Sequence, residues 1–160
     1  MIVAYLESIK YIGHMWPLAI FRILIGYIYA RTALSRIQAG YLEHAYISER
    51  LQIGGDAVTN PSMYFEFFKT MVQSQWLLFT SVFIGLELLI AASYIVGYGI
   101  RITALMAMIL SLHTYFFFDF AGSDSQQYLF YIHFLFLLLG AGRCFGLDYY
   151  FYKSRRGILW

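Results

Sequence analysis

Four stretches of the chain, at about residues 16–36, 75–97, 101–121 and 126–146, are almost wholly apolar. Each has the roughly 20 residues that a helix needs to cross a bilayer. The expected fold class is therefore an all-α integral membrane protein, a four-helix transmembrane bundle. It forms a single domain over residues 1–160, with an extracytoplasmic loop at about 37–74. Composition agrees, since 61% of the 160 residues are hydrophobic and only 12% charged, too apolar for an ordinary soluble domain. Trp16, Trp76 and Tyr128 stand at three of the span entrances, as aromatic residues do at a membrane interface.

The basic residues orient the bundle. With four spans, Lys10, Arg101, Arg143, Lys153, Arg155 and Arg156 all fall on one side, and the connection "DFAGSDSQQ" on the other side carries no Lys or Arg. The positive-inside rule then places both termini in the cytoplasm of a multi-pass cell-membrane protein, with the 37–74 loop outside. In that loop "SERLQIGGDAVTNPS" reads as turn-rich, with Gly54-Gly55 and Asn60-Pro61 as breakers. "MYFEFFKTMVQS" reads as a helix, either in the outer interface or packed on the bundle. A secretory signal peptide is not expected, because the first apolar run starts late and lacks an A-x-A-like cleavage site. The single cysteine, Cys144, excludes an internal disulfide and a cysteine metal cluster. With a formal charge of +2 and no large basic block, nucleic-acid binding is not expected.

Ionisable residues inside the spans carry the functional information, because a charge in hydrocarbon has to pair or face a polar cavity. Arg22 lies in the inner half of span one and Glu87 near the middle of span two, about one helical turn apart in depth. The expectation is an Arg22–Glu87 pair, either a structural tie or the frame of a ligand or proton site. Thr80, Ala91 and Tyr94 share the Glu87 face, and Tyr94 offers a further hydrogen bond. His113 and His133 lie at matched depth on spans three and four. Such a pair suits ligation of a haem iron, a quinone head group, or plain interhelical hydrogen bonding. There is no G-x-S-x-G, H-E-x-x-H or phosphate-cradling glycine loop.

Three stretches carry a family resemblance. "FRILIGYIYARTALSRI" resembles the opening signature of the DoxX family, with Arg22 at its arginine and Arg36 at the basic residue that closes the span. "IGLELLIAASYIVGYGIRITALMAM" resembles the second block, with Glu87, Gly97 and Arg101 in place. "LLLGAGRCFGLDYYFYKSRRG" resembles the ending, through Gly142, Arg143, Gly146, Leu147 and Asp148, and is similar to that of the DoxD branch. The resemblance implies a four-helix membrane subunit that passes electrons to quinone from thiosulfate, together with an extracytoplasmic partner subunit.

On the quinone reading, Glu87, His113 and His133 are the candidate catalytic residues, exchanging the two protons that quinone reduction consumes. The head group would be held by Arg22, Glu87, Tyr94, His113, Phe116, His133 and Phe136 in a cavity open to lipid. Arg22, Arg101, Arg143 and Asp148 are candidate structural residues, and no metal site other than haem is expected. The basic tail after Asp148 faces lipid phosphates or another subunit. A homo-oligomer stays open. The alternative function is a non-enzymatic scaffold that anchors a redox or respiratory partner in the bilayer.

Overall fold

The computed structural model describes residues 16–49, 63–117 and 123–155, with backbone only for 63–65, 116–117, 123–124 and 155. Lys10, Arg156, the turn-rich residues 50–62 and the Phe116 side chain lie outside the described residues. The main helices are α1 (Trp16–Gln38), α2 (Met63–Ser74), α3 (Trp76–Val96), α4 (Ile100–Phe117), α5 (Ser123–Leu139) and α6 (Leu147–Arg155), and a 3-10 turn spans Ala141–Arg143. No strand occurs among the described residues.

Two helices, α1 and α3, are long and apolar enough to cross a membrane, while α4 and α5 are shorter apolar helices. Leu24, Tyr27, Leu78, Ile109, Tyr128 and Leu138 are each more than half exposed, whereas Arg22, Glu87, His133 and Asp148 are buried. Soluble proteins bury such charges rarely and expose apolar residues mostly singly or in small patches.

The helices pack mainly as two pairs, α1 along α3 and α4 along α5, joined by a lesser α3–α4 contact. Small residues set the spacing, as in membrane bundles. A Cβ on Gly26 of α1 would stand 3.0 Å from Tyr94 Cβ and 3.2 Å from the Ala91 carbonyl of α3. On α4, Ala104 and Ala107 are wholly buried.

Two glycines fix the ends. Gly97 ends α3 in a left-handed cap (φ 74°), its N–H donating to the Ser93 carbonyl at 2.7 Å, a conformation that costs glycine nothing. Gly140 (φ 59°) does the same after Leu139. The fourth apolar stretch, expected to run helical to residue 146, therefore stops as a helix at Leu139. Residues beyond it fold into the 3-10 turn and a bend that lead into α6.

Helix α2 has the predicted extent. Val72 is wholly buried, with Phe68, Phe79 and Ile47 packed around it, while Phe67 and Met71 face outward. It packs on α3, and its exposed side is mixed, with Glu66, Thr70, Gln73 and Ser74 beside Phe67 and Met71.

Candidate functional site

The expected Arg22–Glu87 pair does not form. Glu87 is bound instead by Arg36, whose Nη1 donates to Oε1 at 2.6 Å. Arg22 points to the other end of α3, where its Nη1 donates to the carbonyls of Ala141 (2.7 Å) and Cys144 (3.4 Å), and its Nη2 to that of Phe145 (3.2 Å). The reason is register. The antiparallel α1–α3 pair aligns Gly26 with Ala91 and Tyr94, and puts the Arg22 guanidinium beside Gly97. Gly97 is about 15 Å along the helix from Glu87 at 1.5 Å per residue, too far for an arginine to reach. Depth measured from apolar boundaries missed this, because it fixed each helix separately and not against its neighbour.

Arg22 instead helps to lock the three quoted stretches together. Asp148, almost fully buried, accepts hydrogen bonds from Gly99 N–H at 2.6 Å (Oδ1) and Ile100 N–H at 3.0 Å (Oδ2). It thereby caps the start of α4 from a distant part of the chain, satisfying donors that a helix N-terminus leaves open. Its own N–H donates to the Gly97 carbonyl at 3.0 Å. Burial pushes the Asp148 carboxyl above its ordinary range, while the two N–H donors and the Arg22 and Arg101 charges pull the other way. Gly142 and Gly146 sit so close to Asp148, Gly97 and Arg22 that neither has room for a Cβ. Arg143 stacks its guanidinium 4.1 Å from the centre of the Tyr152 ring.

The histidines occupy separate places. His133 is wholly buried and holds a tyrosine on each nitrogen: the Tyr29 hydroxyl at 2.8 Å from Nε2 and the Tyr94 hydroxyl at 2.8 Å from Nδ1. Phe136 closes this cluster, 5.4 Å from the Tyr94 ring. His113 lies against α2, its ring edge-on to Phe68 at 4.3 Å and beside Phe83 at 5.4 Å. Among the described residues the two rings meet in neither a hydrogen bond nor a ring contact, and both His133 nitrogens are engaged. The residues therefore do not fit a bis-histidine haem, and among the described residues no group of three or more His, Cys, Asp or Glu could hold a metal ion.

A cavity of about 90 Å³ opens beside the ion pair, walled by Tyr29, Thr32 and Arg36 of α1, Glu87 of α3, Ser111 and Thr114 of α4, and Gln126 of α5, together with the apolar Ile28, Leu110 and Leu129. That is room for several waters or for the edge of a ring. Among the described residues Glu87 Oε2 is buried without a hydrogen-bond partner, and Ser111 stands beside the Tyr29 hydroxyl. A buried carboxylate oxygen left unmatched is costly, so Glu87 favours any donor that reaches Oε2.

Of the expected site residues whose side chains are described, only Glu87 lines the cavity. Tyr94, His133 and Phe136 stand behind it in the core, with His113 under α2 and Arg22 at the opposite end. Tyr29, Arg36, Ser111, Thr114 and Gln126 were missed as site residues. One signal was present: Arg22, Tyr29 and Arg36 recur every seven residues on α1, as Thr80, Glu87 and Tyr94 do on α3, and such stripes face one partner.

No protein-family model, no curated protein and no solved structure matches the chain.

Proposed function

We propose that the chain is the membrane subunit of a quinone-reducing oxidoreductase, in which the Glu87 cavity receives the oxygen-bearing edge of the quinone ring. The observation that carries this reading is Glu87, which lines a cavity in an apolar bundle and whose Oε2 has no hydrogen-bond partner among the described residues. Quinone reduction consumes two electrons and two protons, and a carboxyl group facing such a cavity exchanges protons with the ring oxygen. Arg36 holds the carboxylate in place through Oε1 and leaves Oε2 to the ligand.

The rest of the proposal is supported by the DoxX-like stretches and the charge pattern. The electrons come from a reduced sulfur compound such as thiosulfate, oxidised with an extracytoplasmic partner subunit. All four apolar helices span the cell membrane, with both termini cytoplasmic, and the cavity lies in the outer half. There α1 and α4 end and α3 and α5 begin.

The test is reduction of a soluble quinone analogue by thiosulfate, using purified chain with its partner subunit. Loss of that activity in Glu87→Gln, with assembly retained, is the expected outcome. If the complete complex neither binds quinone nor passes electrons to it, the proposal fails. A second reading, a non-enzymatic membrane scaffold, is favoured by the filled core around His133, Tyr94 and Phe136. Under it, Glu87→Gln loses stability and leaves partner activity unchanged per assembled complex.

A further inference from the structure

Tyr94 sets the direction of a buried hydrogen-bond chain. Its side chain is 0% exposed, and among the described residues its hydroxyl has one partner, His133 Nδ1 at 2.8 Å. A phenolic O–H in a dry core has to donate to something, and Nδ1 is what it meets. A neutral imidazole carries one N–H and one acceptor nitrogen. With Nδ1 accepting, Nε2 holds the hydrogen and donates it to the Tyr29 oxygen at 2.8 Å. The hydrogen of the Tyr29 hydroxyl is then turned away from His133. Ser111 lies within hydrogen-bonding reach of that hydroxyl, and both residues belong to the cavity wall. Glu87 belongs to the same wall, and among the described residues its Oε2 has no hydrogen-bond partner.

We infer that the chain Tyr94→His133→Tyr29 is polarised toward the cavity, so that Tyr29 as donor and Glu87 as acceptor form a two-point clamp for a hydroxyl oxygen. A phenolic hydroxyl of a quinol accepts from Tyr29 and gives its hydrogen to Glu87 Oε2. A quinone carbonyl takes only the first bond. Naming the quinol as occupant rests on the proposed function; the polarity of the chain does not, since a bound water satisfies the same two points. Tyr29 touches the ligand, whereas His133 and Tyr94 are positioning residues.

The test uses the full chain in detergent with ¹⁵N-labelled histidine, the His133 signals being assigned by their loss in His133→Gln. Proton–nitrogen correlation spectra report which ring nitrogen carries hydrogen. The expected result is Nε2–H with Nδ1 as acceptor, and an Nδ1–H form overturns the inference. In parallel, the tailless head group 2,3-dimethoxy-5-methyl-1,4-benzoquinol and its quinone are titrated onto the protein.

The quinol should bind more tightly, and Tyr29→Phe should weaken both forms by about tenfold or more, the size of one lost hydrogen bond in a dry site. In Glu87→Gln the amide oxygen takes the place of Oε1 toward Arg36 and turns its NH₂ into the cavity, so the preference should switch to the quinone. Equal binding by Tyr29→Phe and wild type also overturns the clamp. If His133 is Nε2–H but neither ring form binds wild-type protein, the polarity stands with water as its occupant and the proposed function falls.

Discussion

Arg36 and Glu87 meet at 2.6 Å across the α1–α3 interface, and the two ends of this pair are unequally wet. The Arg36 side chain is 33% exposed and that of Glu87 only 7%. Removing one partner of a buried pair strands the other charge, and the penalty grows with the burial of the one left behind. Arg36→Met should therefore cost more than Glu87→Gln. The first should approach the roughly 3–5 kcal/mol typical of broken buried pairs. The second should stay nearer about 1 kcal/mol, because a part-exposed guanidinium recovers solvent. The double variant should regain much of the Arg36→Met loss. Urea unfolding of the three variants measures this, and equal losses in the two single variants would sink the argument. Arg22→Met should add independently to Glu87→Gln, since their hydrogen bonds among the described residues go to different partners about 15 Å apart along α3.

The sequence made the helices legible and left the interior ambiguous, for a physical reason. Length and apolar content fix where α1 and α3 begin and end, and Trp16 and Trp76 stand at their first residues. Which arginine meets Glu87 depends on the relative register of two helices, set by the close approach at Gly26, and no single span records that. The histidines show the same limit. Depth along α4 and α5 is readable, but the rotation that sends His113 to Phe68 and His133 to Tyr29 is not. The end of α5 was readable in part, since Gly140 stands where the helix stops.

Glycines separate packing from mere helix content. On Gly146 a Cβ would collide with the Gly142 carbonyl and come 2.7 Å from the Gly97 oxygen and 2.9 Å from Arg22 Nη1. Backbone cannot yield cheaply there, so Gly146→Ala should destabilise by about 1–3 kcal/mol, the usual cost of overpacking. Gly85 in α3 has nothing within 4 Å of an added Cβ. Gly85→Ala should be neutral or stabilising by about 0.5–1 kcal/mol through helix propensity. Thermal melts in one detergent compare the two, and a loss at Gly85 matching that at Gly146 would remove the packing account.

Asp148 gives a pH signature. Its folded carboxyl lies above the unfolded value, chiefly through burial, so the folded state binds the proton more tightly. That contribution to stability is fully present below the unfolded carboxylate value and is lost as pH rises through the folded one. Asp148→Asn keeps one oxygen acceptor and cannot ionise, so it should flatten this part of the stability profile across the carboxylate range. Asp148→Ala strands the Gly99 and Ile100 N–H groups and should cost about 1–3 kcal/mol for each donor left dry. Melting temperatures of the three proteins between acid and neutral pH decide it. An unchanged slope in Asp148→Asn counts against Asp148 as the source.

Orientation is testable with two serines at opposite ends of the bundle. Ser74 closes α2, which packs at the start of α3. Ser154 lies on α6, which Asp148 ties to the far end of α3. Both side chains are exposed, so cysteine at either position is reachable by reagent, while the native Cys144 is buried and adds little background. Basic residues gather at the α6 end: Arg101, Arg143, Lys153 and Arg155. Retention of such charges in the cytoplasm places Ser154 inside and Ser74 outside. An impermeant maleimide should label Ser74→Cys in intact cells, and Ser154→Cys only after lysis. The reverse pattern would invert the bundle and put the Glu87 cavity in the cytoplasmic half. A thiosulfate-oxidising partner outside the cell would then face the Arg22 end and not the Glu87 cavity, and the proposed coupling between them would lose its geometry.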